Sequence, residues 1–323
     1  MKPKFDNLLQ VAIQWHQKGI GAVIATVIET WGSAPRGVGS HLIVSGDGKM
    51  EGSVSGGCVE GAVVLEALDS LKENATKVLE YGVSDDDAFA VGLACGGKIR
   101  VLVEPVGKQI PQKLLQELVD VISKDQSVIY EINIKTLQRR LVYNEYEDRV
   151  RKDRSGFVDD QITFLNVYSP KIKIDIVGAV HIAQALVPIA IIAGFSPRII
   201  DPRESFANHE RFDNIEISND FPDIALTKTK PNYRTAVVLL THDPKLDDPA
   251  LHIALKSEAF YIGALGSKKT HQQRKERLKN SGFTKKQIDR VCGPIGLNIG
   301  ASSPEEIAIS ILSEVIATLR GVK

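Results

Sequence analysis

Apolar positions follow two different rhythms along the chain, and the rhythm changes near residue 168. Phe5, Leu8, Leu9, Ala12, Ile13 and Trp15 fall at helical spacing and predict an amphipathic helix over residues 4–18. Ala22–Ile28 (AVIATVI) is a continuous apolar, β-branched run that suits a strand buried on both faces. His41–Val44 and Met50–Val54 flank Ser45-Gly46-Asp47-Gly48, which predicts a hairpin. The pattern next predicts a helix from about Cys58 to Leu71, strands at 76–82 and 98–104, and a helix at 111–123. Residues 127–165 read as antiparallel β structure carrying a charged insertion at 144–160. This half reads as α+β.

Beyond Tyr168-Ser169-Pro170 the strands alternate with helices. Ile172–Val177, Pro197–Ile200, Ala236–Leu240 and Ala259–Ile262 read as strands, with helices at 181–193 and 247–256. Such alternation predicts βαβ units on a parallel sheet. Thr284-Lys285-Lys286-Gln287 and Ser303-Pro304-Glu305-Glu306 have capping-box spacing and open two closing helices. The expected division is an α+β domain over 1–168 and a Rossmann-like domain over 169–323, an α/β protein as a whole.

Composition narrows the partners. The 40 Lys and Arg balance 40 Asp and Glu, so the chain lacks the basic footprint of a nucleic-acid binder or a polybasic membrane-surface protein. No apolar run approaches the ~20 residues that span a bilayer. The first residues lack the apolar core of a signal peptide. Three cysteines in 323 residues fit reduced thiols in a cytoplasm better than a disulfide scaffold.

Candidate chemistry sits in Gly-rich turns. Gly178-Ala179-Val180-His181-Ile182-Ala183 occupies a strand-to-helix turn, where a dinucleotide fold carries G-x-G-x-x-G/A. Asp201 follows at the end of the next strand, where a ribose-binding acid belongs, with Arg203 beside it. Val180 replaces the glycine that lets backbone approach a pyrophosphate, so a scaffold without bound NAD(P) reads as well as an NAD(P) site. The loop Thr30–Ser40 offers Arg36 among three glycines, either an anion contact or a solvated turn. Ser55-Gly56-Gly57-Cys58 falls where a strand enters a helix. Free N–H groups and the helix dipole there suit a phosphate or a thiolate, and Glu60 is either a dipole partner or a ligand contact. Gly92–Gly97 places Cys95 in a similar setting, whereas Cys292 reads as structural. Neither turn has zinc-ligand spacing. Gly178, Asp201, His242 and Gly263–Ser267 all fall on the carboxyl edge of the parallel sheet, where open α/β sheets bind ligands. Lys268, Lys269, Arg274, Lys275 and Arg277 read either as a phosphate site or as a solvated helix face.

Taken together, GSAPRGVGS (32–40), GSVSGGCVE (52–60), GLACGG (92–97), DPRESFA (201–207), YIGALGSKK (261–269) and PIGLNIGASSPEEIAISILSE (294–314) resemble the XdhC/CoxI family. These are accessory proteins of xanthine-dehydrogenase-type molybdenum enzymes. The resemblance implies an N-terminal XdhC/CoxI-type α+β domain and a Rossmann-like C-terminal domain. It further implies a homodimer that binds the molybdenum cofactor (molybdopterin with its metal) as cargo. The cargo is protected during sulfuration by a cysteine desulfurase and inserted into a molybdoenzyme. Residue by residue it points to Arg36, Cys58, Glu60 and Cys95, then to Gly178, His181, Asp201 and Arg203, and then to His242, Asp243, Gly263, Gly266 and Ser267. Cys58 and Cys95 are the candidate soft ligands to molybdenum, and Arg36 with Ser55, Gly56 and Gly57 the candidate phosphate contacts. Two positions depart from the family pattern. Val180 stands where G-A-G-H is common, and Pro244 where a second His often follows T-H-D. No catalytic triad or metal cluster is recognisable, which fits a carrier. The rival readings are an NAD(P)-dependent oxidoreductase and a protein-binding adaptor.

Overall fold

A computed structural model describes residues 8–32, 36–82 and 97–322. The chain divides into two compact units, Met1–Pro170 and Lys171–Lys323.

In the first unit α1 (Leu8–Gln17) leads into β1 (Ala22–Trp31), β2 (His41–Ser45), β3 (Met50–Gly52), α2 (Glu60–Glu73), β4 (Lys77–Tyr81) and β5 (Lys98–Pro105). The strands form an antiparallel sheet in the order β3-β2-β1-β5-β4. Strand β1 lies at its centre, which is why Ala22–Ile28 is apolar on both faces. Alternate side chains of a strand face opposite sides. Ala22, Ile24 and Ile28 therefore join one core with α1, while Val23, Ala25 and Val27 join another under α2. In the β2–β3 hairpin Ser45 Oγ donates to Asp47 Oδ1 at 2.5 Å, and Gly48 takes φ 82°.

After α3 (Gln112–Ser123) come β6 (Val128–Asn133), β7 (Arg139–Val142), α4 (Glu147–Arg151), β8 (Gly156–Phe157) and β9 (Thr163–Tyr168). Their strands form a second antiparallel sheet in the order β7-β6-β9-β8. Its Val128, Tyr130, Ile132 and Phe164 share a core with α1, α3 and the first sheet. A polar chain crosses this core. His41 Nδ1 and Thr26 Oγ1 are 3.0 Å apart, and His41 Nε2 lies 2.8 Å from the Tyr168 hydroxyl. Asn166 Nδ2 donates to that hydroxyl at 2.9 Å and lies 3.2 Å from His41 Nε2. Nearby, buried Glu104 accepts from Arg139 Nε at 2.7 Å and from the Tyr130 hydroxyl at 3.0 Å. Burial lowers the His41 pKa to about 4, because the imidazolium would lose its hydration.

The second unit runs β10 (Lys173–Val177), α5 (His181–Ile192), β11 (Ser196–Ile200), β12 (Glu216–Ser218), α6 (Pro222–Thr229), β13 (Thr235–Leu239), α7 (Pro244–Lys256) and β14 (Tyr261–Ala264). It ends with α8 (Lys268–Asn280), α9 (Lys285–Ile288), β15 (Val291–Cys292) and α10 (Pro304–Leu319). All six strands are parallel, in the order β12-β11-β10-β13-β14-β15. That order reverses between β10 and β13, as in the dinucleotide-binding Rossmann arrangement. Ile174, Ile176 and Val238 pack against α5 and α10, and Val177, Val237, Leu239 and Ile262 against α6 and α7. Thr284 and Ser303 both close capping boxes. The fourth strand begins two residues later than the pattern predicts, because Arg290 ties down the carbonyls of Leu255, Ser257 and Ala259 before it. Helix α7 begins three residues early, where Asp243 caps it and Pro244 takes its first position. Among the described residues no helix is long and apolar enough to cross a membrane.

Candidate functional site

The turn before α2 is built around a single carboxylate. Glu60 is 5% exposed. Its Oε1 accepts from Ser53 Oγ at 2.7 Å, Val54 N at 3.1 Å, Ser55 N at 2.8 Å and Gly56 N at 3.1 Å. Its Oε2 accepts from Gly57 N at 2.8 Å and from Ser55 Oγ. Ser55 Oγ in turn accepts from Cys58 N at 3.0 Å and Val59 N at 2.9 Å. Every N–H from Val54 to Val59 thus has a partner inside the turn. Gly56 (φ 81°) and Gly57 (φ 121°) allow the backbone to wrap the carboxylate, since L side chains rarely adopt those angles. Burial opposes ionisation of Glu60, but the hydrogen bonds from Ser55 and Ser53 outweigh it and lower the pKa to about 2.

This bears on two expectations. The N–H groups of Ser55, Gly56 and Gly57 are not phosphate donors, because an internal anion has already taken them. Glu60, in the first turn of α2, is the acid that meets the positive end of that helix, and it closes the turn from within. Cys58 sits on this turn, half-buried and packed against the core beneath α2. Arg36 is half-buried in the loop between β1 and β2. Cys95 lies outside the described residues, as do Ser33–Pro35. Among the described residues no group of three His, Cys, Asp or Glu is placed to hold a metal ion.

The second cluster lies on the carboxyl edge of the parallel sheet. Gly178 takes φ 107°, and a Cβ there would stand 2.8 Å from Thr241 Cγ2, so only glycine fits. Val180 takes φ −90° and ψ 177°, which a β-branched residue adopts without strain, and its side chain packs against the core of this unit. The obstruction expected from Val180 is therefore not imposed by its conformation. Asp201 requires a larger correction. It is fully buried, and both its oxygens are filled. Oδ2 accepts from Ala179 N at 2.8 Å and Arg203 Nη2 at 2.7 Å, and Oδ1 from Arg203 N at 3.0 Å and Nε at 2.9 Å. Burial opposes its charge, and the bonds from Arg203 and Ala179 lower its pKa below the usual carboxylate value. Asp201 braces the Gly178 turn, buried and with two donors already on each oxygen. Arg203 also stacks on Phe206, 4.3 Å from the ring centroid.

His181 is exposed at the start of α5, and His242 is exposed with φ 60°. Thr241 Oγ1 donates to buried Asp247 Oδ1 at 2.6 Å and accepts from Asp243 N at 3.1 Å, which pins the segment bearing His242. Asp243 caps α7 and Ser267 caps α8 through their side chains. Gly266 takes φ 141°. Gly263 is buried within β14, and a Cβ there would stand 2.5 Å from the Tyr261 hydroxyl and 2.6 Å from Ile295. It is a packing glycine, not a ligand contact. The edge thus brings together Gly178, His181, His242, Asp243, Gly266 and Ser267, while Asp201 and Gly263 are withdrawn into the fold. Asp247 supports the same edge, although no motif surrounds it. Its place on the face of α7 that also carries Leu251 and Ala254 is the one sequence signal of its burial.

Comparison with known proteins follows this division. Residues 15–82 match the family model described as XdhC and CoxI family, and residues 174–315 match the XdhC Rossmann domain. The chain is 28% identical over 310 residues to the molybdenum cofactor insertion chaperone PaoD of Escherichia coli, covering 96% of this chain and 87% of that protein. It is 27% identical over 336 residues to a Bacillus subtilis protein described as a probable subunit of xanthine dehydrogenase, covering 98% of each. A crystal structure described as a xanthine dehydrogenase from Bacillus halodurans superposes with a TM-score of 0.77 and 29% identity, covering 98% of this chain and 96% of that one.

Proposed function

The chain belongs to the XdhC/CoxI family, and on that premise we propose that it binds the molybdenum cofactor as cargo, shields it and inserts it into a xanthine-dehydrogenase-type apoenzyme. The likeness to an insertion chaperone over 96% of the chain carries this reading. The residues present suit the cargo's chemistry. A cysteine thiolate is a soft ligand for a thiophilic metal, and Cys58 stands on a turn whose N–H groups from Val54 to Val59 are all hydrogen-bonded. With the N–H groups of that turn committed to Glu60, the phosphate falls to Arg36. Cys95 is the second proposed thiol. Gly178, His181, Arg203, His242, Asp243, Gly266 and Ser267 are proposed to contact cargo from the second unit.

A carrier must also release what it holds. No covalent step is asked of these residues, only a reversible contact that excludes water and oxygen. The proposed setting is a cytoplasmic homodimer that meets a cysteine desulfurase before the client enzyme.

The test is anaerobic incubation with molybdenum cofactor, followed by gel filtration and molybdenum analysis of the protein peak. Wild type should retain molybdenum, Cys58→Ser should retain several-fold less, and the loaded protein should activate cofactor-free enzyme. Equal and negligible retention by wild type, Cys58→Ser and Cys95→Ala overturns the reading.

A further inference from the structure

Two neighbouring helices of the second unit turn uncharged faces to solvent. None of the 12 residues of α5 is Asp, Glu, Lys or Arg. One side of the helix is buried in the core, yet Ile192 on the opposite side is 85% exposed, and Pro188 beside it is exposed too. A surface helix ordinarily keeps its outer face polar, and one that is apolar all round belongs in an interior. Helix α10 joins the same core beside α5. Its outer stripe reads Glu306, Ile309, Ser313, Ile316 and Arg320, all exposed except half-buried Ser313. The spacing alternates three and four residues, as on the seam of a coiled-coil helix. Between Glu306 and Arg320 the one charged residue is Glu314, which is buried.

This stripe is its own complement when turned end for end. About Ser313 as centre, position 306 falls opposite 320, and 309 opposite 317 beside 316. An antiparallel second copy thus sets Ile309 against Ile316 and Ala317, and Glu306 against Arg320. The small Ser313 lies on the axis, where the helices come closest. Glu306 has Oε1 to spare, since its cap bonds with Ser302 and Ser303 fall on Oε2. In a parallel pairing Glu306 would meet Glu306, and Arg320 would meet Arg320, like charge against like.

We propose that the outer face of α5 and α10 binds a second copy of this chain, antiparallel about a two-fold axis at Ser313. The assignment gives the proposed homodimer its surface and does not depend on the cargo. The 16 residues of α10 run about 24 Å. Two helices side by side are roughly 20 Å wide. Two copies therefore cover roughly 1,000 Å2, the lower limit of a specific interface. The pair accordingly dissociates on dilution.

The experiment is sedimentation velocity of the full chain from about 1 to 100 μM. Wild type should be dimeric at the top of this range and monomeric at the bottom. Ile309→Glu and, separately, Ile192→Glu should each weaken the dimer by about tenfold or more, because each places a charge in an uncharged contact. Both positions are exposed, so the dilute variants should melt within about 2 °C of wild type. Mild oxidation should link Ser313→Cys to itself as a dimer, in excess of any wild-type background, and should leave Ile309→Cys unlinked. A dimer that ignores both Glu variants overturns this surface and leaves the homodimer standing. A monomer at every concentration overturns both and leaves the face to a different protein. Self-linking of Ile309→Cys as ready as that of Ser313→Cys overturns the antiparallel arrangement. Molybdenum retention by wild type is a separate result in every case.

Discussion

Replacing Glu60 by Gln tests whether the turn bearing Cys58 is held by one internal charge. The amide keeps one acceptor oxygen, so Oε1 can still receive from Ser53, Val54, Ser55 or Gly56. The NH2 group would replace Oε2 and face Gly57 N and Ser55 Oγ, donor against donor at the first of these. The change in pKa from 4.5 to about 2 sets an upper bound of about 3 kcal/mol at neutral pH. Gly56 and Gly57 are exposed, so water can serve part of the orphaned backbone, and the expected loss is about 2 kcal/mol. The sign follows from the depressed pKa. The stabilisation is present above the unfolded value of 4.5 and is lost as pH falls toward 2. By about pH 3 the gap between wild type and variant should shrink to less than half. Urea unfolding followed by tryptophan fluorescence reads this directly, because the two tryptophans, Trp15 and Trp31, both lie in the first unit. A variant within about 0.5 kcal/mol of wild type at pH 7, or a gap that ignores pH, refutes the carboxylate-centred turn.

Three further outcomes are expected. His41 has its pKa lowered to about 4, so the unfolded chain binds a proton that the folded chain refuses, and stability falls as pH drops from 6.5 toward 4. The loss at pH 5 should be about 1–2 kcal/mol and should vanish from the difference curve of a His41→Gln variant measured in parallel urea melts. Gly178→Ala should destabilise the second unit by about 2 kcal/mol in chemical denaturation, since it combines a φ of 107° with a 2.8 Å contact on Thr241; a neutral result removes the close approach of these two loops. Asp201→Asn should cost about 2 kcal/mol at pH 7 and raise amide exchange at Ala179; unchanged exchange there would mean that Asp201 does not brace the turn.

Elements whose cause is local were legible from residue order. The apolar run of β1 marks a strand covered on both sides, and the capping boxes at Thr284 and Ser303 both form. The Gly178 turn, the Gly266 turn and the convergence of His242 and Ser267 on one edge followed from counting alternating strands and helices. Strands β12 and β15 did not, because three and two residues carry no period of their own and are strands only by pairing with a longer neighbour. The buried arginine on α8 was legible only as an ambiguity. His271, Arg274 and Leu278 share one helical face, yet the surrounding lysines make the whole helix read as solvated.

The composition drew the outer limits. Forty charges of each sign leave no net charge, three cysteines offer little to a disulfide frame, and the two periodicities describe an α+β half followed by a parallel sheet. Local patterns persist because they depend on neighbours a few residues away. The destination of each polar group does not. Glu60 folds back onto its own turn because Gly56 and Gly57 bend the backbone around it. Asp201 is spent on Ala179 and Arg203 because the parallel register sets the end of β11 beside the end of β10. Arg274 is buried because α8 packs that face inward. A sequence names the donors and acceptors, and only their arrangement in space decides which of them remain free for a ligand.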